Sequence, residues 1–407
     1  MWGLIKNELL KLSRKSKLYI VIGFLSLATV IQGYAQYIDI TAKAPEKVIA
    51  ESERLIESME NMVVVQHGEG GEEDSGGITN WIEDTIEDAK KDIEHAQRKL
   101  DNMERDWRVN VAEEIDYLKK QMEEARADGD IVKQEDKSTR IKILNYHLDH
   151  DMKPDDEYVM NNTVIINIIT YIGSIFLAIV VMMLTVDTIA FENSPATIKL
   201  LLTKPVSRGK IYISKFLASL VASIGIVIVI EGLAYLIIGL IFGFGNMGAP
   251  TAIGPKYMPD PIQIARYGMG VKPVLDSTIL VPLWQKLAIV LALQAIFIVT
   301  VVSIGIFISA IMKNGISAII FGLLSTAILT VITVQISDLG SIKIISIIMP
   351  YLFSTYSAGN LILAGYLSSS LSSTLISVPF AVLVMTSWAG LFFISGYRLF
   401  SKRDILA

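Results

Sequence analysis

Hydrophobic positions in this chain fall into two regimes. In six places apolar residues run for about twenty positions with little interruption by charge, and elsewhere they recur every third or fourth residue among charged neighbours. A helix needs about 20 apolar residues to cross a hydrocarbon core of about 30 Å. The first regime therefore predicts spans at residues 18–38, 164–190, 216–244, 287–311, 315–336 and 378–397. The second is clearest in Ile82, Ile86, Ala89, Ile93, Ala96, Leu100, Met103 and Trp107, spaced alternately four and three apart, a heptad seam for a coiled coil or helical hairpin. Ile115, Leu118, Met122 and Ala125 follow with a similar period, and Val48, Leu55, Met59 and Met62 predict a helix before the seam. Residues 67–77 hold five glycines and interrupt the helical pattern.

The polar stretch 187–215, between the second and third runs, carries helix punctuation that a simple connection does not need. Ser194 is placed to cap a helix with Pro195 at its first position, where the missing N–H and fixed φ cost nothing. Residues 196–203 read as a short helix that stops at Lys204-Pro205, since the residue before proline is pushed out of the α region. Ser207 can then cap a second helix running through Lys210 and Lys215 into the third span.

Charge sharpens the division. Of 407 residues 52% are hydrophobic and 19% charged, and the two populations are segregated. Residues 39–163 hold 33 acidic and 17 basic side chains, net −16, and the remainder 8 and 19, net +11, which gives the overall −5. Lys6, Lys11, Arg14, Lys15 and Lys17 precede the first span, and Lys199, Lys204, Arg208, Lys210 and Lys215 join the second to the third. Lys313 lies between the fourth and fifth, and Arg398, Lys402 and Arg403 follow the sixth. Cytoplasmic flanks carry the Lys and Arg excess, so both termini are expected in the cytoplasm and residues 39–163 outside. The first span follows seventeen residues and lacks a small-residue cleavage site after it, so it is expected to stay as an anchor.

Residues 342–363 are apolar enough to compete as a seventh crossing, but Lys343 and Pro350 interrupt them. An odd count would also carry Arg398, Lys402 and Arg403 outside. Short re-entrant or interfacial helices are the preferred reading, since irregular backbone at membrane depth is tolerated where protein buries it. In residues 1–17, Trp2, Leu4, Ile5, Leu9, Leu10 and Leu12 oppose Lys6, Lys11, Arg14 and Lys15, which suits a helix lying in the headgroup plane. A merely basic retention flank is the plainer alternative.

The chain has no cysteine, so disulfides, thiolate metal sites and a cysteine nucleophile are excluded. The four histidines, His67, His95, His147 and His150, all lie in residues 39–163. Their charged surroundings favour solvated side chains over a metal site, and no resident metal or cofactor is expected. No phosphate-binding glycine loop, H-E-x-x-H or G-x-S-x-G is present, so no catalytic residues are assigned. Two acidic residues fall in or beside spans. Asp187, near a span end, can reach water, whereas Glu231 falls mid-span and reads either as a proton or cation relay or as a neutral carboxyl bonded to Gln294 or Tyr235. Gly239 and Gly243 form a small-xxx-small pair suited to helix contact, and Ser174, Ser223, Ser303 and Ser325 are expected at backbone carbonyls or helix contacts.

The segment D-T-I-A-F-E-N-S-P-A-T-I-K-L-L-L-T-K-P-V-S-R-G-K-I-Y-I-S-K-F-L, with the opening W-G-L-I-K-N-E-L-L-K-L and the ending Y-R-L-F-S-K-R-D, resembles the permease subunits of ABC-2 type transporters. The resemblance covers the membrane half and leaves out residues 39–163, where most members have a short loop and some a large insertion. Together with the patterns above it implies an all-α membrane protein: an interfacial helix at 1–17, span 1 at 18–38, an extracytoplasmic acidic helical domain at 39–163, and a membrane domain at 164–407. That last part would hold a coupling helix at 194–204 and a re-entrant segment at 342–376. The resemblance also implies a permease of an ATP-driven exporter, working as a homodimer or with a paralogue beside a cytosolic ATPase dimer that holds the ATP and Mg. Glu192, Pro195, Ile198, Lys199, Leu200, Leu201 and Arg208 would contact that ATPase, and Pro350, Tyr351 and Tyr356 would sit at an external gate. An ABC-linked signalling or mechanotransmission protein, whose external stalk acts on a ligand or partner, is the alternative; a membrane hydrolase is disfavoured by the missing motifs. The substrate is not readable, and no nucleic-acid partner is expected.

Overall fold

The structure is a computed structural model and describes residues 1–68, 75–193, 207–335 and 342–402. Helix α1 (Trp2–Ser13) leads into α2 (Ser16–Ala42). Five described helices are long and apolar enough to cross a membrane: α2, α9 (Arg208–Phe242), α11 (Leu283–Ile311), α12 (Gly315–Val334) and α16 (Val378–Lys402). The second predicted span, 164–190, is not one helix. It is α7 (Ile165–Ile175) and α8 (Leu177–Thr185), bent by 56° at Phe176, and the count is six only if this pair is one span. Hydroxyls explain part of the bend: Thr170 donates to the Ile166 carbonyl at 2.6 Å and Ser174 to that of Thr170 at 2.8 Å, a back-bonding that deforms helices. Gly173 supplies the rest, because the backbone of Ser357 closes on it so tightly that a Cβ would lie 2.7 Å from the Ser357 carbonyl oxygen.

Helix α11 lies at the centre, packed on α16, α8 and α9. Its Phe297, Val302 and Ile306 are fully buried, whereas α2, α9 and α12 keep long apolar rows on the outside. In water such rows would be a liability; against lipid they are the matching solvent face. Helix α1 packs on α9 with Ile5 and Leu12 buried, but Trp2 and Leu10 point outward, so the apolar stripe of residues 1–17 is split between the protein and its surroundings. Gly243 does not serve helix contact. It ends α9 with φ +102, and Gly239 is covered by the Phe244 ring of the same segment.

The acidic residues form two hairpins. Helix α3 (Pro45–Gly68) packs along α4 (Ser75–Glu104), and α5 (Trp107–Ala127) along α6 (Ile131–Asp149). Ile82, Ala89 and Ala96, seven apart, are the buried positions of α4, as the heptad reading predicts. Three expectations shift. The seam stops before Trp107, because Asp106 caps a new helix by accepting from the Arg108 N–H at 3.0 Å, and Trp107 packs in the second hairpin beside Val111, Ile115, Leu118 and Leu144. On α3 Ser52 is buried, while Leu55 and Met62 are exposed. His147 is buried with Nδ1 2.8 Å from the Met152 carbonyl, rather than solvated, and His150 is stacked on Tyr146.

Between α9 and α11 lies a small module that the hydrophobic pattern does not announce. Strand β1 (Pro250–Ile253) pairs antiparallel with β4 (Ile279–Pro282), and β2 (Tyr257–Pro259) with β3 (Val271–Pro273). Helix α10 (Pro261–Tyr267) bridges β2 and β3, capped by Asp260 with Pro261 at its first position. Strands of three or four residues are too short for alternation to register. Beyond α12 the chain breaks into α13 (Lys343–Ile348), two tight turns (Met349–Tyr351 and Phe353–Tyr356), α14 (Gly359–Leu363) and α15 (Tyr366–Ser370). None of these exceeds six residues, about 9 Å of helix, so residues 342–363 form no single helix long enough to cross a membrane.

Candidate functional site

At the end of the bundle that carries α1, charged residues from four elements meet. Asp187, just past α8, is buried and ion-paired with Lys17 at the start of α2, with Lys15 at 3.5 Å on its other oxygen. Lys17 also donates to the Leu184 carbonyl at 3.0 Å. One residue past Asp187, the Thr188 carbonyl accepts from Lys215 of α9 at 3.3 Å, and Lys215, 1% exposed, pairs with Glu8 of α1 at 2.9 Å. Burial alone would push the Glu8 carboxyl up; the Lys215 and Lys11 ammonium groups outweigh it and hold it below the usual carboxylate value. The Ser309 hydroxyl of α11 accepts from the N–H groups of Ile189 at 2.8 Å and Ala190 at 3.0 Å. Asp187 thus does not reach water as its position near a span end suggests. It is the centre of a node tying residues 187–190 to α1, α2, α9 and α11.

This node fixes the chain where it approaches the polar segment of the sequence. Glu192 lies in a short turn (Ala190–Asn193) immediately after it, and Arg208 is the first residue of α9. Ser207 holds the N-cap position but makes no side-chain cap bond. Pro195, Ile198, Lys199, Leu200 and Leu201, with Ser194 and the rest of residues 194–206, lie outside the described residues. Nothing in the hydrophobic pattern marks Glu8, Lys17 and Lys215 as partners across 170 or more residues. The available signal is that each is a charge at a span end, where a partner of opposite sign is cheapest to bring.

Glu231 lies between α9 and α11. It is 3% exposed, and its Oε1 accepts from Gln294 Nε2 at 2.6 Å, while Oε2 is buried without a partner. Tyr235, the other partner weighed from sequence, instead packs its ring on Phe244 at 6.2 Å. Glu231 and Asp187 are not brought together: they sit at different depths, and Asp187 has its own cations. Among the span serines, Ser174, Ser303 and Ser325 return to backbone carbonyls as expected, whereas the buried Ser223 hydroxyl has no partner.

At the opposite end, the broken segment is stapled to itself and to the bundle. The Tyr356 hydroxyl, fully buried, donates to the Pro350 carbonyl at 2.5 Å, and Thr355 donates to the Met349 carbonyl at 2.6 Å. Tyr351 is exposed, but its carbonyl accepts from the Trp388 indole N–H of α16 at 2.8 Å. The three residues singled out for a gate therefore lie together in two successive turns, Met349–Tyr351 and Phe353–Tyr356. The β module reaches the same segment through Gly254, whose N–H donates to the Leu363 carbonyl at 2.8 Å.

The module in turn holds the acidic helices. Glu135 of α6, 2% exposed, accepts from the Asp276 N–H at 2.6 Å, the Thr278 hydroxyl at 2.7 Å and the Thr278 N–H at 3.3 Å. Ser138 donates to the Asp276 carboxylate at 2.6 Å and Lys142 pairs with it at 3.1 Å. These contacts pull the Asp276 carboxyl below its usual value, the Ser138 hydrogen bond first and Lys142 second. Among the described residues no group of three His, Asp or Glu converges to hold a metal ion.

The node of ion pairs, the buried Glu231 carboxyl and the stapled segment at the other end are features of one helical bundle, and comparison of the sequence with family models decides the family it belongs to. The model described as ABC-2 family transporter protein matches residues 2–405. The chain belongs to the ABC-2 transporter family. The match runs through the acidic hairpins as well as the bundle, wider than the membrane-half resemblance. No curated protein matches this permease in sequence. As an ABC-2 permease it is a multi-pass membrane subunit of an ABC transporter, and the family implies association with an ABC ATPase.

Proposed function

We propose that the chain is the permease of an ATP-driven exporter, with residues 194–204 as the helix that seats in a separate cytosolic ATPase dimer. On this reading α7 and α8 form one bent span, giving six. Both termini are cytoplasmic, the acidic hairpins and the β module lie outside in a bacterial plasma membrane, and the segment 342–376 is re-entrant. A second permease chain, identical or paralogous, completes the path. ATP and Mg belong to the ATPase, and this chain contributes no catalytic residue.

The observation that carries the reading is the node around Asp187. A segment that receives force from a partner must be rigidly joined to the spans it moves, and residues 187–190 are bonded directly to α2, α9 and α11. Leu200 and Leu201 supply the packing against the ATPase and Glu192, Lys199 and Arg208 its polar contacts. The test is co-purification of the ATPase with the Leu200→Asp, Leu201→Asp double variant. The variant should insert normally and lose the ATPase; full retention would end the reading. The second reading, ATP-driven signalling through the external hairpins, is favoured by the Glu135 clamp, which joins those hairpins to the module above the broken segment. ATPase stimulation by a transported compound in vesicles separates the two.

A further inference from the structure

We propose that Glu231 is a proton-exchanging carboxyl inside the membrane, neutral while α9 and α11 are closed on it and ionised when they part. A carboxylate in a hydrocarbon-depth interior needs compensation, and the cations of every element packed on α9 are elsewhere. Lys6 on α1 is exposed, Lys11 on α1 and Lys17 on α2 lie at the ionic node, and Arg398 and Lys402 are in the last turns of α16. Lys286 is eight residues from Gln294 along α11, about 12 Å of helix, and donates to the Ala252 carbonyl at 3.0 Å. On α9 itself Lys215 is sixteen residues away, about 24 Å. The other acids of these elements, Glu8 and Asp39, are also at the ends, paired with Lys215 and Lys43.

The geometry selects a proton over a metal cation. One carboxylate oxygen is taken by the Gln294 amide N–H, the other has no hydrogen-bond partner, and among the described residues no group of three His, Asp or Glu forms that could complete a metal shell. The nearest unpartnered hydroxyl on the same helix, Ser223, is eight residues away, about 12 Å. A proton needs one oxygen. Placed on Oε2 it neutralises the group but finds no acceptor, so the closed state holds it without a second bond. Opening the α9–α11 contact would let water solvate both forms, and the charged form gains most. Ile230 and Ala234, flanking Glu231 on α9, line an apolar pocket of 510 Å³ with Thr29, Gly33 and Tyr37 of α2, so α9 has unfilled space on its α2 side.

The experiment is labelling of the full chain in lipid vesicles with dicyclohexylcarbodiimide, a lipid-soluble reagent that attacks protonated carboxyls, read by peptide mass spectrometry. The Glu231 adduct should fall roughly tenfold between about pH 5 and pH 9, and Glu231→Gln should abolish it. An adduct equally abundant at every pH would mean a permanently neutral structural acid, and none at any pH a permanently charged one; either overturns the proposal. With the ATPase present, Glu231→Gln should flatten the pH profile of coupled ATP hydrolysis while Glu231→Asp keeps its slope; a Gln variant with the parent profile also overturns it. Labelling needs no ATPase, so its failure stands apart from failure of the transporter reading.

Discussion

Removing the Glu135 carboxylate is the most direct probe of how the acidic hairpins are held. Glu135→Ala takes away the acceptor of three donors, two of them at 2.6 and 2.7 Å, in a site that excludes water. Hydrogen bonds to a charged acceptor contribute about 1.5–3 kcal/mol each, and a buried donor left unpaired keeps its full desolvation cost. Two such bonds give about 3–6 kcal/mol, and the surviving Ser138 and Lys142 contacts to Asp276 place the loss near the lower end. A loss of about 3 kcal/mol is roughly a 150-fold fall in the docked-to-undocked ratio of α6 on the module. Hydrogen–deuterium exchange on the full chain reads this directly. Amides of residues 271–279 should exchange faster, and so should Gly254, whose N–H holds the Leu363 carbonyl on the module's other side. Glu135→Gln, which keeps one acceptor but presents an N–H₂ to the same donors, should fall between parent and Ala variant. Unchanged protection of residues 271–279 in Glu135→Ala would refute the clamp.

Asp187→Asn strands the Lys17 ammonium in a mostly buried site and should cost about 3–5 kcal/mol, seen as a lower melting temperature in detergent; adding Lys17→Met should restore most of it. Gly173→Val drives a side chain into the Ser357 backbone and should cost about 1–3 kcal/mol, with faster amide exchange in residues 353–363 and none in α1. Glu8 carries a pH dependence of defined sign. Its folded-state carboxyl titrates below the ordinary 4.5, so its contribution to docking α1 is full above that value and is lost as pH falls through the lower, folded one. Exchange of α1 amides should accelerate only in that acidic window, and Lys215→Met should remove the step.

The spans were legible because lipid imposes one requirement, a long apolar helix, that survives any packing detail, and the heptad of Ile82, Ala89 and Ala96 was legible because two-helix packing is periodic. The break at Phe176 was not, since it depends on the Ser357 backbone reaching Gly173 from 184 residues away. Trp107 was assigned to the wrong hairpin because its spacing fits the seam, and only the Asp106 cap shows that a new helix begins. The β module left no periodic trace in strands of three or four residues. Of the candidate site, the isolated position of Glu231 and its Gln294 partner could be read from two runs of apolar residues, whereas the pairing of Asp187 with Lys17 is a tertiary fact between distant ends.

The indole of Trp388 donating to the Tyr351 carbonyl gives the molecule a native optical reporter. Indole emission shifts with the polarity and hydrogen bonding of its ring, and the other four tryptophans, Trp2, Trp81, Trp107 and Trp284, lie outside this turn. A chain keeping only Trp388 would therefore report in real time whether the turn around Pro350 stays latched, with no dye or label attached.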